Sequence, residues 1–457
     1  MLQPRRPRPW IRTARVLAAV GGGALLIWLR PDRAMRSAAG LAAHNLCSST
    51  FVSGLQPQDT FVSSLEPLMG IAARFVRYDV DAGRRTARAS FAGLFPADAR
   101  FQAGYGCRLD YRGAVARAPP PASPIAIGPV LPVVLDPALA GPLDAVFRER
   151  AGAPRKRVKA VLVVRDGRVV AERYARGVDA GTPVLGWSVA KSVTNALVGV
   201  LVRQGRMRVD QSALAPEWPL GDPRRALTVE DLLRMQSGLD APEQGSGGDV
   251  VNRMLYAAPD MAGFAARRPL SAPPRSRWEY TSANTLLLDR AVGRAVGGGA
   301  PGLRAFADRE LFAPLGMRGV TMEFDAAGTF VGSSYLYATA RDYARFGMLY
   351  LADGVAPDGR RVLPAGWAGW SARSTLGRGY GAGFWTNDGP SAGARRRVAA
   401  GFPADGFFAS GNLGQRIYVV PSAALVIVRL ADSDPPDFGI DDDLTLIAAA
   451  RDRRRRG

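Results

Sequence analysis

The segment Val189–Arg203 carries apolar side chains on nearly every side of a helix: Val189, Val193, Ala196, Leu197, Val198, Val200 and Leu201. A helix apolar all round is buried, and Gly205 closes this one as a C-cap. A chain of 457 residues that is 47 % apolar can supply the core around it. One residue conflicts with that environment. Lys191 lies in the first turn, and a lone ammonium in a core is costly unless it has a partner or a task. Ser188 stands at the start of the same helix, three residues earlier and on the same face. The chain has only three lysines (Lys156, Lys159 and Lys191) against 24 serines. Random placement in this composition gives a lysine three residues after a serine about 0.16 times, so the pairing is informative.

A serine hydroxyl is a weak nucleophile until a base takes its proton. A lysine amine serves as that base when its pKa is lowered, and both burial and the positive end of a helix disfavour the ammonium form. The same helix end offers backbone N–H groups to a developing oxyanion. Other bases are scarce. His44 is the only histidine, so a Ser-His-Asp hydrolase would have to use it. A zinc site would have to draw on His44, Cys47 and Cys107, outside the main body of the chain. Acid–base chemistry therefore falls to Lys, Tyr, Asp or Glu. Tyr280, in Trp278-Glu279-Tyr280-Thr281-Ser282, precedes a second apolar helix. It is expected to share the base role as a phenolate stabilised by Lys191 and to relay a proton to the leaving group. Gly411-Asn412-Leu413-Gly414-Gln415 leads into a strand, where a glycine-rich edge allows close approach of a substrate. The N–H of Gln415 is the expected second oxyanion donor, opposite the N–H of Ser188. Trp187, Phe384 and Trp385 are candidate pocket walls, although core packing explains each equally well.

The remaining chain divides by composition. Arg5, Arg6, Arg8, Arg12 and Arg15 precede the apolar run Val16–Leu29. As a helix that run spans about 21 Å, short of the ~30 Å hydrocarbon core. Residues 1–40 read as a signal peptide or membrane anchor, with Ser37-Ala38-Ala39 as a cleavage candidate. The excess of arginine before the run places the bulk of the chain outside the cytoplasm, in the periplasm, attached to the inner membrane where the segment is retained. Net charge is +20, but more than half of it lies in residues 1–40 and 451–457. No zinc finger, RNA-binding signature or basic stripe with interleaved aromatics accompanies it, which argues against nucleic acid as a partner. Cys47 and Cys107 are the only cysteines, and an oxidising compartment favours a disulfide between them.

Residues 41–116 read as a small module of short strands and turns, with a hairpin around Asp81-Ala82-Gly83. A proline-rich linker covers 117–130. The body, 131–457, opens with strands Val158–Val164 and Arg168–Tyr174 joined at Asp166-Gly167, a type I′ turn signal. It closes with strands Gln415–Val420 and Ala424–Leu430 and a helix Leu444–Arg451. Helical patterns lie between: Val189–Arg203, Val229–Gln236, Thr285–Val296 and Ala340–Leu351. Strands at both ends with helices between predict one antiparallel sheet flanked by helices, an α/β sandwich of the α+β class.

In this order, the S-x-x-K of Ser188 and Lys191, the Tyr280-x-Ser282 motif and the Asn412-Leu413-Gly414 element resemble the serine beta-lactamase-related hydrolases. That superfamily includes penicillin-binding proteins, class C beta-lactamases, esterases and 6-aminohexanoate-dimer hydrolases. Residues 232–239, 331–334, 337–342 and 380–385 also look like family segments. The resemblance implies a transpeptidase-like fold and a small-molecule amide or ester substrate, with no metal or organic cofactor. It implies Ser188 as acyl-forming nucleophile, Lys191 as base and Tyr280 as second acid–base group. Ser282, Asn412, Gly414, Gln415, Trp187 and Trp385 would contact substrate or oxyanion. Two departures matter. Ser282 stands where class C beta-lactamases carry Asn, as in the amide-hydrolase and esterase branches. Asn412 stands where K-T-G or H-x-G motifs carry a cation, which removes a partner for the carboxylate of a beta-lactam or a peptidoglycan stem peptide. The amidase/esterase branch is therefore expected ahead of beta-lactamase or D-alanyl-D-alanine carboxypeptidase activity. A non-catalytic penicillin-binding-like envelope protein is the third reading, disfavoured by the buried lysine.

Overall fold

Two stretches some 250 residues apart pair to form the central sheet. A computed structural model describes residues 30–111 and 131–452, apart from Ala213 and Ser246. The run Val16–Leu29, the linker 117–130 and the last five residues lie outside the described residues. Among the described residues no helix is long and apolar enough to cross a membrane. Strands β1 (Val158–Arg165) and β2 (Arg168–Tyr174) come from the start of the body. Strands β3 (Trp385–Thr386), β4 (Phe407–Gly411), β5 (Gln415–Val420) and β6 (Leu425–Ala431) come from its end. They form one antiparallel sheet in the order β3-β4-β5-β6-β1-β2. Asp166 and Gly167 both have positive φ, 51° and 75°, as the type I′ turn between β1 and β2 requires.

Successive residues of these strands feed two cores. Leu162, Val164, Ile417, Val419, Val426 and Val428 face the larger one. Val161, Val163, Tyr418, Val420 and Ile427 face a smaller one, under the helices Ala140–Phe147 and Ile440–Arg451. Burial on both faces explains why the strands read as continuous apolar runs. The larger core holds α2 (Val189–Arg203), α3 (Ser282–Val296) and α4 (Ala340–Leu351). On α4, Gly347 lets the helix sit tightly on the sheet: a Cβ there would lie 2.6 Å from Val426 Cγ1. The α+β sandwich expected from the strand and helix order is the observed architecture.

The N-terminal module differs from expectation. Residues 41–51 are not strands and turns but the second half of one helix, α1 (Pro31–Phe51), which runs across the 40/41 division. Pro31 at its first position and Asp32 in its first turn suit a helix start. Its residues 39–49 are buried on all sides, so no amphipathic period marks it in the sequence. One side meets the antiparallel strands Val76–Asp81, Thr86–Phe91, Leu94–Gln102 and Gly106–Asp110. The other meets the helix Val250–Ala257, where a Cβ on Gly40 would fall 2.0 Å from the Tyr256 carbonyl oxygen. The hairpin around Asp81-Ala82-Gly83 is present.

The module is fastened to the body at two buried carboxylates. Glu323 accepts hydrogen bonds from Ser48 Oγ (2.7 Å) and the Cys107 N–H (2.6 Å) and lies 2.9 Å from His44 Nε2. The His44 ring stacks on Tyr335. Asp432 accepts from Ser63 and Ser64 of the module and pairs with Lys159 of the body. Cys47 and Cys107 form a disulfide. All three residues weighed as zinc ligands are thus engaged in joining the module to itself or to the body.

Candidate active site

Trp187 sets up the nucleophile turn. Its φ of 48° is in the left-handed region that a bulky residue rarely adopts, and it delivers Ser188 to the N-terminal end of α2. The turn is braced from two sides. Gly186 donates its N–H to Leu336 O, and its own carbonyl accepts the N–H of Val189. Strand β4 ends directly against it: a Cβ on Gly411 would lie 2.1 Å from Gly186 O. Only glycine allows the strand edge this close to Ser188.

Lys191 is 2 % exposed, one turn into α2. Its Nζ lies 2.9 Å from Ser188 Oγ, 3.1 Å from Ser282 Oγ and 2.9 Å from the Ser333 carbonyl oxygen. Burial lowers its pKa to about 8, against the opposing pull of nearby carboxylates, Glu243 foremost. The ammonium also sits 4.8 Å from the centre of the Tyr280 ring. Burial pushes the Tyr280 phenol up, as does the Glu243 carboxylate, against a hydrogen bond with Ser188. Burial thus disfavours the expected phenolate at Tyr280 and favours the neutral amine at Lys191.

Ser282 opens α3, with Thr281 as its N-cap. Its N–H (2.8 Å) and its hydroxyl (2.9 Å) both reach Glu243 Oε2, so Ser282 links Lys191 to a carboxylate that the sequence did not single out. Two turns along α3, the buried Asp289 accepts from Thr194 Oγ1 on α2 (2.6 Å) and from the Gly332 N–H (3.0 Å). This fixes the loop that presents the Ser333 carbonyl to Lys191. Burial raises the Asp289 carboxyl well above the ordinary carboxylate range.

A cleft of about 700 Å³ opens over these groups, lined by Ser188, Tyr280, Trp187, Trp385, Glu243 and Asn412 among others. Trp385 stacks on Tyr280, with ring centres 6.1 Å apart. Phe384 is core instead, packed on Tyr350 and Phe407 at 1 % exposure. Gly414 and Gln415 lie off the cleft wall. Gln415 pairs with Gly411 in the sheet, and its side chain binds Asn412 O and the main chain of Ala431. Gly411 and Asn412, at the start of this element, are the parts of it that line the cleft.

The family model described as Beta-lactamase matches residues 143–451. The chain belongs to the beta-lactamase family. This family member is a serine hydrolase by that membership and by its relatives. It is 29 % identical over 291 residues to penicillin-binding protein 4 of Amycolatopsis lactamdurans, covering 54 % of this chain and 71 % of that one. It is 29 % identical over 307 residues to a 6-aminohexanoate-dimer hydrolase of Paenarthrobacter ureafaciens, covering 61 % and 73 %. Among solved structures, it is similar to a provisionally named 6-aminohexanoate-dimer hydrolase from Bacillus anthracis. That likeness has a TM-score of 0.57 and 21 % identity, covering 70 % of this chain and 87 % of the other, and speaks to the fold.

Among the described residues that line this cleft, one carries a positive charge. Arg416 is the one guanidinium on the described cleft wall. Its Nη1 donates to Gly411 O and Gln415 O, and its Nη2 pairs with Asp437. It is committed to the fold and to a carboxylate already present.

Proposed function

We propose that this protein cleaves an amide or ester through a Ser188 acyl-enzyme, closest in chemistry to the 6-aminohexanoate-dimer hydrolase and esterase branch. The observation that carries this reading is the 2.9 Å contact between the Ser188 hydroxyl and a buried Lys191 whose pKa is lowered to about 8. Neutral Lys191 takes the Ser188 proton as Oγ bonds to the carbonyl carbon. The oxyanion is held by the N–H groups of Ser188 and Asn412, the latter in place of Gln415. Tyr280, which keeps its proton, protonates the leaving amine or alcohol as the C–N or C–O bond breaks, and Lys191 returns the proton to it. Water then attacks the acyl-enzyme by the reverse sequence. The commitment of Arg416 to Asp437 supports substrates without a carboxylate beside the scissile bond, ahead of beta-lactams and D-alanyl peptides.

A fluorophosphonate tests the nucleophile. The parent protein should gain one phosphonyl group on Ser188, and Ser188→Ala should gain none. Equal labelling of the two would refute the assignment. Hydrolysis of short esters, linear amides, a chromogenic cephalosporin and D-alanyl peptides ranks the substrate classes. We also infer an extracytoplasmic location, with the arginine-flanked run Val16–Leu29 as exporting or anchoring segment. The Cys47–Cys107 disulfide supports it. Cell fractionation, with immunoblot size for chains with and without residues 1–29, tests both location and processing.

A further inference from the structure

The family match begins at residue 143, yet the cleft over Ser188 is walled on one side by residues that precede it. Met35 and Leu41 reach it from α1, Leu68 and Met69 from the turns that follow, and Phe91 from the end of the second module strand. Met35, Leu68, Met69 and Phe91 are only half-buried: the last three pack against the larger core, and all four line the cleft. The charged groups on the wall are Glu243 and the Arg416–Asp437 pair. Among the described residues on the module side of the cleft, Ser37 alone offers a hydrogen-bonding side chain.

This wall is also fixed in place. The His44–Glu323 contact and the Cys47–Cys107 disulfide hold α1, and the Asp432 bonds to Ser63 and Ser64 hold the turns bearing Leu68 and Met69. A preformed apolar surface beside a reactive centre gains affinity from a chain it can cover, without the cost of ordering itself.

We propose that the N-terminal module is the specificity wall of the active site, selecting esters or amides that carry an unbranched hydrocarbon chain of medium length. The proposal rests on the acyl-transfer reading of Ser188 and adds the substrate class to it. Each methylene moved from water onto such a wall in the transition state raises kcat/KM about fourfold. The gain stops once the chain outgrows the cleft.

The test uses the full chain and p-nitrophenyl esters from acetate to dodecanoate, with a parallel series of alkyl acetates for the leaving-group side, all below their micelle concentrations. In one of the two series kcat/KM should climb about three- to fourfold per methylene over the first several carbons and then level off. Met35→Gln and Leu68→Gln, on separate elements, should each cut the ratio of octanoate to acetate kcat/KM (or its leaving-group equivalent) about tenfold. Circular dichroism and thermal melting verify that both variants fold. A flat or falling profile in both series, with Ser188 still labelled by fluorophosphonate, overturns the wall and leaves acyl transfer standing. Folded variants with the parent ratio overturn it equally. Failure of both hydrolysis and labelling overturns the two together.

Discussion

Glu243 is the sharpest handle on the base. It is the foremost group opposing the burial that lowers Lys191, and it acts across Ser282. The two hydrogen bonds through the Ser282 hydroxyl put its carboxylate within about 6 Å of the lysine nitrogen. The loop carrying Glu243 is exposed, so an effective dielectric of about 40–80 applies rather than that of an interior. The attraction is then about 0.7–1.4 kcal/mol, or about half to one pK unit. Glu243→Gln keeps an oxygen for Ser282 and removes the charge. Lys191 should then titrate below its present value of about 8.

On the proposed mechanism Lys191 acts as base only when neutral, so kcat/KM on a short ester should rise with pH through the Lys191 pKa. In Glu243→Gln the midpoint of that rise should move to lower pH by about half to one unit. At pH 7 the neutral fraction, and with it kcat/KM, should increase about three- to fivefold while the plateau at high pH stays near the parent level. The difference should shrink in 1 M salt, as a screened charge requires. A midpoint that stays put or moves up would refute both Lys191 as the base and the Ser282 link to Glu243.

Two further substitutions test the supports around the nucleophile. Asp289→Ala strands the Thr194 hydroxyl and the Gly332 N–H in the core, and should cost about 3 kcal/mol in urea unfolding. Asp289→Asn, which keeps both acceptor positions partly served, should cost less than half of that. Gly411→Ala drives a methyl into the Gly186 carbonyl that also accepts the Val189 N–H, so it displaces Ser188 at its root. Its kcat/KM should fall about a hundredfold with far-UV circular dichroism unchanged, the penalty expected of a misplaced reacting group.

Two kinds of signal were legible in the sequence: a residue that contradicts its local pattern, and an apolar run that nothing interrupts. Lys191 was visible because an ammonium had no place in an apolar helix, and Ser188 because it stood one turn away. The strand pairs 158–174 and 415–431 were visible because burial on both faces leaves uninterrupted apolar runs bracketed by turn residues. Asp289 was open to the same logic, a lone carboxylate within the apolar stretch after Thr285, and attention to charge on that helix would have found it. Helix α1 escaped for the opposite reason. Its Ala, Gly and Ser residues fit closely on every side, and a helix buried all round by small residues has no period to read. Glu243 escaped because it lies in an aperiodic loop, and its role arises only when that loop meets α3. In the glycine-rich element, Gly411 and Asn412 line the cleft while Gln415 does not, because the chain bends at Leu413, whose φ is 56°, and no local pattern announces that bend.

The same distinction bears on substrate. The reacting groups of this hydrolase lie within the matched family region and are set by short-range motifs, whereas the apolar wall opposite them comes from residues 35–91 and exists only through tertiary packing. If both proposals hold, chemistry and selectivity are carried by separate parts of the chain. A relative sharing the motifs but lacking the module should then keep the acyl transfer and lose the preference for an alkyl chain, because the methylenes would remain in water.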